Sequence, residues 1–445
     1  MPERGLSERL ARGLARLLLR VFYRDVEAQG LERVPERGAV VFVANHGNAL
    51  VDPMLLVGLL PRVPRFLAKH TLWSNPAVRP LLALAGSIPV YRAQDGGTAR
   101  NDETFARCFE VLAAGGAVGL FPEGISHDEP ALQPLRTGAA RIALGARAAG
   151  AEPMAVVPVG LTFEEKGRFR SRALVAVGDP ILPAPEAHAE DAAAVRALTE
   201  AIDAGLRDVT LNYASWEAAR LAEQSAEIYG ADDARALPGR AALGAHFPLR
   251  RAFGDRYDAA RAAHPERVAT LEGVVKRYDR LLRFLALRDD HVTARYTWRN
   301  ALAYVGYRIP SLLWRLPFAA IGLLLNYLPY RLPGWVAGLV RDQGDQPATY
   351  KVLTGLVAFP VFWGLECALA WSAWGGAGAA AMAVVAPVTG WIALRFYERN
   401  ESFWRELRAW LTLRVLPDRG AELRALRAAI RDELAALVDE ASERT

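Results

Sequence analysis

Two hydrophobic rhythms divide the first 185 residues. Short apolar runs at 39–44, 65–68, 87–91, 117–121, 155–162 and 172–177 read as strands. Between most of them, apolar residues recur at three- and four-residue spacing, which predicts helices over 53–60, 98–114 and 138–149. Such alternation predicts an α/β domain over residues 30–185, with a mostly parallel sheet flanked by helices.

Residues 6–24 carry the helical rhythm alone. Leu6, Leu10, Leu14, Leu17, Val21 and Phe22 share one face, with Arg9, Arg12, Arg16, Arg20 and Arg24 on a neighbouring one. Over 1–29 this predicts a basic amphipathic helix at the membrane surface; packing on the domain with solvated arginines is the alternative. Residues 186–300, rich in Ala, Arg, Asp and Glu, read as soluble helices without a chemical motif.

The region 301–400 reads as membrane-embedded. From 352 to 394 only Glu366 is charged, and the run divides at the glycine-rich 374–379. Each half approaches the ~20 residues that cross a bilayer, so a helical hairpin is expected. Arg341 and Lys351 precede it, and Arg395, Arg399, Arg405 and Arg408 follow, which places both ends on the cytoplasmic side of a cell membrane. The apolar stretch 316–330 is short and flanked by prolines, and reads as re-entrant or interfacial. Over 401–445, Leu423, Leu426, Ile430, Leu434 and Leu437 form one side of an amphipathic helix.

Composition sharpens this only slightly. Hydrophobic residues make up 52% of the 445, and the mean hydropathy of +0.08 fits a chain with a membrane part. Lys and Arg exceed Asp and Glu by 54 to 49. That surplus does not argue for nucleic acid; it suits an anionic membrane face or a phosphate-bearing substrate. Cys108 and Cys367 share no motif, so neither a disulfide framework nor a thiolate metal site is expected. The charged N-terminus does not read as a signal peptide.

The chemistry gathers where predicted strands end. "VVFVANHGNALVDP" carries a strand into Asn45 and His46, with Asp52 six positions on. A helix would point those two side chains apart, so His46 belongs to a loop that curls back to a helix start marked by Pro53. A carboxylate on one imidazole nitrogen leaves the other as a general base; alternatively Asp52 only caps the helix. "GSIPVYR" ends on Arg92, a fork suited to phosphate. "GLFPEG" ends on Glu123 and Gly124, and "VVPVG" on Gly160. No Gly-x-Ser-x-Gly elbow is present, so a serine acyl-enzyme is not suggested.

In this order and spacing, over roughly residues 30–183, these motifs resemble the glycerolipid (lysophospholipid) acyltransferase superfamily. The flanks "ANHGNALVDP" and "FPEGISHDEPALQPLRTGAARIAL" are most similar to its glycerol-3-phosphate and dihydroxyacetone-phosphate branch. The resemblance implies acyl transfer from acyl-CoA or acyl carrier protein to a glycerol phosphate hydroxyl, with no metal or resident cofactor. It implies His46 and Asp52 as catalytic, and Asn45, Arg92, Glu123, Gly124, Ser126 and Arg136 as substrate-binding. Many members follow Glu-Gly with Thr-Arg, whose arginine helps hold phosphate; here Ile125 and Ser126 stand instead. Phosphate binding then leans on Arg92, with Arg136 or Lys69 as substitutes. His127 either joins the polar site or is a surface turn residue. Acylation of lysophosphatidate at the second hydroxyl, or a non-catalytic lipid-binding scaffold, are the rival readings.

Overall fold

The computed structural model describes residues 2–76, 78–91, 101–230, 242–293, 298–340 and 347–443. The strands are β1 (Asp25–Gln29), β2 (Ala39–Ala44), β3 (Arg65–Lys69), β4 (Ile88–Val90), β5 (Ala117–Leu120), β6 (Met154–Phe163) and β7 (Arg172–Val177). The helices of the first half are α1 (Pro2–Phe22), α2 (Val51–Leu59), α3 (Arg79–Leu84), α4 (Asn101–Ala113), α5 (Gly138–Ala148) and α6 (Ala192–Val209). There follow α7 (Trp216–Tyr229), α8 (Leu243–Ala263), α9 (Pro265–Phe284), α10 (Asp289–Thr293), α11 (Trp298–Leu339), α12 (Pro347–Val415) and α13 (Pro417–Glu443). The expected start of α4 at 98–100 lies outside the described residues.

The strands form one mixed, mostly parallel sheet in the order β1-β7-β6-β2-β5-β3-β4. Only β6 and β7 run antiparallel to each other. β2 is central, and all six of its residues are buried, as a strand covered on both faces requires. Period-two alternation splits it between two cores. Val40, Phe42 and Ala44 pack with Leu19 and Phe22 of α1 and with Leu55 and Leu56 of α2. Val41 and Val43 face Leu112, Ile142 and Ile202 from α4, α5 and α6. Burying side chains of this size contributes about 1.5–3 kcal/mol each. β1 was not expected: "DVEAQ" has few apolar residues because it is a partly exposed edge strand paired only with β7.

The chain divides into two compact units, Met1–Asn212 with Ala337–Leu353, and Tyr213–Val336 with Thr354–Thr445. The stretch 186–300 is thus split, since α6 packs beneath β6 in the first unit. In the second unit α13 does not stand alone. Its Leu423, Ile430 and Leu434 share a core with Leu271, Val275 and Tyr278 of α9. At its centre Asp289 accepts from the Tyr278 hydroxyl at 2.6 Å and from Arg427 Nε at 3.0 Å.

Leu312–Leu339 and Pro347–Val415 are long and apolar enough to cross a membrane, and only 22% and 11% of their most apolar windows are buried. Leu323, Leu324, Leu369, Trp371 and Val384 are among their exposed large side chains. An uncovered apolar surface of this extent marks membrane association. The stretch 316–330 is therefore no separate re-entrant piece but the middle of α11. Its prolines, Pro317 and Pro329, sit inside the helix, where apolar surroundings and neighbouring helices tolerate them.

α12 breaks at Gly375, whose φ is +67°. Asn326 of α11 donates to Ala386 O at 3.1 Å and accepts from Trp363 Nε1 at 2.9 Å. A straight helix would hold residues 363 and 386 roughly 35 Å apart. One side chain reaches both only because the chain reverses at Gly375, giving the hairpin. Small residues allow the approach: a Cβ on Gly322 would lie 2.0 Å from Thr389 O.

Candidate active site

His46 stands at the carboxyl end of central β2, the sheet edge where sites gather in such folds. Main-chain pairing ends at Ala44, and the Asn45 side chain extends it by one step. Its Nδ2 donates to Leu161 O at 3.0 Å and its Oδ1 accepts from Leu161 N at 2.7 Å. Asn45 thereby faces β6, not the cleft expected for a substrate ligand.

The loop then curls as the spacing predicted. His46 Nδ1 lies 2.8 Å from Asp52 Oδ2. An ionised carboxylate only accepts, so in the neutral ring Nδ1 carries the proton and Nε2 holds a lone pair. Nε2 has no hydrogen-bond partner among the described residues, and the side chain keeps 15% of its exposure while Asp52 has none. Asp52 Oδ2 also accepts the Asn48 N–H at 2.7 Å, so one oxygen fixes both ring and loop. The imidazole stacks on Phe121, centroids 3.9 Å apart and planes within 9°. Asp52 occupies the first turn of α2, which begins two residues before Pro53. An acid there is favoured by the helix dipole.

The segment after β5 holds this loop in place. Glu123 Oε1 accepts the His46 N–H at 2.8 Å, and the His127 N–H donates to His46 O at 3.1 Å. Glu123 Oε2 accepts from His127 Nε2 and from the Gln133 N–H. Ser126 Oγ accepts the Ala49 N–H at 3.2 Å, supporting an alanine whose φ is +38°. Glu123 and Ser126, expected at the substrate, therefore act on the His46 loop. His127 belongs to the same polar group, the first of the two alternatives its sequence left open. A further support was not foreseen at all: Thr349 Oγ1, at the start of α12, accepts the Leu50 N–H at 3.1 Å.

Of the expected phosphate groups, Arg92 lies outside the described residues. Lys69 ends β3 at the same sheet edge as His46. Arg136 follows the loop, its backbone N–H bound to Pro122 O at 2.8 Å, and its guanidinium lies over Gly124. A Cβ at Gly124 would stand 2.6 Å from Arg136 Nε, and φ there is +75°, so only glycine fits. The guanidinium has no ion-pair partner among the described residues. Lys166, which sequence reading passed over, brings its ammonium to 3.0 Å from where a Gly47 Cβ would be. It is paired there with Asp128 at 2.8 Å. No cluster of His, Cys, Asp or Glu able to hold a metal occurs among the described residues.

A base with one free nitrogen, on a loop held by Glu123, and an unpaired guanidinium over the adjacent Gly124 are groups suited to deprotonating the hydroxyl of an anionic substrate. Comparisons with known proteins point the same way. Residues 25–162 match the Acyltransferase family model. The chain is 25% identical over 384 residues to glycerol-3-phosphate O-acyltransferase 1 of Saccharomyces cerevisiae, covering 64% of this chain and 49% of that one. It is 49% identical over 83 residues to glycerol-3-phosphate O-acyltransferase 2 of the same yeast, covering 18% of this chain and 11% of that one. The 1-acyl-sn-glycerol-3-phosphate acyltransferase of Bacillus subtilis is 25% identical over 187 residues, 41% of this chain and 87% of that one. The chain thus spans half or less of the two yeast proteins. Residues 25–162, the stretch that matches the Acyltransferase family model, include both His46 and Asp52.

Proposed function

We propose that the protein transfers a fatty acyl group from a thioester, acyl-CoA or acyl carrier protein, to the sn-1 hydroxyl of glycerol 3-phosphate or dihydroxyacetone phosphate. The observation that carries this reading is the His46–Asp52 pair with Nε2 open. His46 Nε2 takes the acceptor's hydroxyl proton as that oxygen bonds the thioester carbonyl carbon. The tetrahedral oxyanion then collapses, the C–S bond breaks, and the thiolate takes the proton back from the imidazolium. Asp52 holds the ring and balances its transient charge, while Arg136, with Arg92, grips the phosphate. Atoms balance without a cofactor, the thioester being a substrate.

The acceptor is favoured by the 83-residue stretch that is 49% identical to a glycerol-3-phosphate O-acyltransferase. This reading puts the catalytic face on the cytoplasmic side; the positive flanks at Lys351, Arg395 and Arg399, which bracket the apolar hairpin, support it. Both polar substrates arrive from that side, and the acylated product partitions into lipid. Supplying glycerol 3-phosphate, dihydroxyacetone phosphate and lysophosphatidate separately with one acyl-CoA, and following thiol release, tests the reading. Turnover at least ten times faster with either of the first two supports it. Preference for lysophosphatidate gives the second-acylation reading instead, and no thiol release with any acceptor removes the enzyme.

A further inference from the structure

At the opposite edge of the sheet, where β3 and β5 begin, lies a cavity of about 480 Å³, within the range of ligand pockets, about 300–1,000 Å³. Its lining includes Arg9, Arg12, Arg62 and Arg65, against Glu8 as its one carboxylate. Three of these arginines are held by neutral acceptors. Arg12 Nη2 donates to Leu60 O and Pro61 O at 2.9 Å each. Arg62 donates to Pro35 O at 3.2 Å and Gly115 O at 2.5 Å, and Arg9 Nε to Gly5 O at 2.9 Å. Carbonyls fix a guanidinium without cancelling its charge. None of the four has an ion-pair partner among the described residues, and Arg12 Nε is buried with no partner.

Capping the end of α2 accounts for Arg12 and not for the rest. Arg65 makes no hydrogen bond among the described residues and rests against Gly86. Burial, with Arg16 close by, lowers the pKa of Arg12, and burial alone lowers that of Arg62. Groups whose charged form is disfavoured where they stand gain from an arriving anion.

The neighbouring surface indicates which anion. α1 buries Ala11, Ala15 and Leu19, while Leu6, Leu10 and Leu17 remain 54%, 54% and 58% exposed on its outer face. By helical periodicity, Arg16, Arg20 and the cavity-lining Arg9 share the face of α1 next to those leucines. A free anion has no use for the leucines; a lipid has use for both features.

We propose that this cavity binds the phosphate headgroup of an anionic phospholipid whose acyl chains meet the exposed leucines of α1. It is a second lipid site, independent of the acyl-transfer reading.

The test counts molecules bound to the full chain in detergent by native mass spectrometry, with dioctanoyl phosphatidate, dioctanoyl phosphatidylcholine or inorganic phosphate added. Arg9→Gln/Arg65→Gln leaves the caps of α2 intact; Arg12→Gln/Arg62→Gln is the deeper variant. The protein should retain one more phosphatidate than either variant, with affinity at that site reduced about 10-fold or more in the variants. Occupancy of the catalytic cleft, common to all three proteins, cancels in the difference. Equal phosphatidate retention by the unaltered chain and Arg9→Gln/Arg65→Gln overturns the site. Retention of phosphatidylcholine equal to phosphatidate, or of inorganic phosphate as tight as the lipid, overturns the anionic-lipid assignment.

Discussion

In the α/β unit the buried carboxylates of Asp52 and Glu123 both bind the same short loop, and the set of bonds stops at His46 Nε2. In the helical unit the buried Asp289 meets Tyr278 and Arg427, and Arg427 also donates to Ile228 O at 3.1 Å. Asn326 likewise links Gly322, Ala386 and Trp363. The second kind of network closes on itself and joins helices. The first is left open to the outside at one nitrogen, His46 Nε2, on a side chain that keeps 15% of its exposure; its other unpartnered atom, Asp52 Oδ1, is buried. Both bury polar groups at a desolvation cost, but only the open network holds a group available to an outside proton.

Removing the open end should have the largest effect. His46→Ala should lower acyl transfer about 10²- to 10⁴-fold, the usual contribution of a general base. The protein should still fold, its stability lowered only by about 1.5–3 kcal/mol, the range for one hydrogen bond to a charged group. Asp52→Asn should lose less, because the ring remains but its orientation and charge balance suffer. Rates of acyl-CoA thiol release, set beside thermal unfolding of the same samples, check both. An active His46→Ala protein would make the open nitrogen incidental.

Cutting the closed network should give the reverse pattern. Asp289→Ala strands the Arg427 guanidinium, itself only 6% exposed, and should cost about 3–5 kcal/mol of stability. The kcat of the folded fraction should stay near that of the unaltered chain. Unfolding in urea, with activity measured below the transition, separates the two quantities. A large fall in kcat without loss of stability would mean that the helical unit takes part in chemistry.

The contrast also marks what the chain made legible before its structure. β2 and β7 match their expected bounds because each short apolar run stops sharply, at Asn45 and at Gly178, and the hairpin was visible in the length of the apolar run and the glycines at its centre. His46 and Asp52 could be paired from sequence because Pro53 marks the first turn of α2, which holds Asp52. The supports of that loop could not. Ser126 and Thr349 accept backbone N–H groups from 77 and 299 residues away, contacts that leave no periodicity or spacing. Pro317 and Pro329 misled for a physical reason: prolines that end a helix in water are accommodated inside α11. Asn326, one polar residue in an apolar run, gave no sign of its partners.

His127 offers the finest division between an open and a closed network. Its Nε2–H binds Glu123, and its Nδ1 accepts the Glu129 N–H at 3.1 Å, so both ring nitrogens are engaged within the protein. Although it lies close to His46, it has no free nitrogen and should move no proton. His127→Ala leaves Glu123 Oε2 with the Gln133 N–H alone and should cost about 1.5–3 kcal/mol, the range for a hydrogen bond to a charged group. The His46 loop then loosens, so kcat should fall several-fold while KM for the phosphate acceptor holds. His127→Gln places an amide N–H near the position of Nε2 and should recover most of that loss, which glutamine acting in place of a proton-transferring histidine would not. If His127→Ala and His127→Gln lose kcat equally, His127 handles a proton, and the network it belongs to is open at two places.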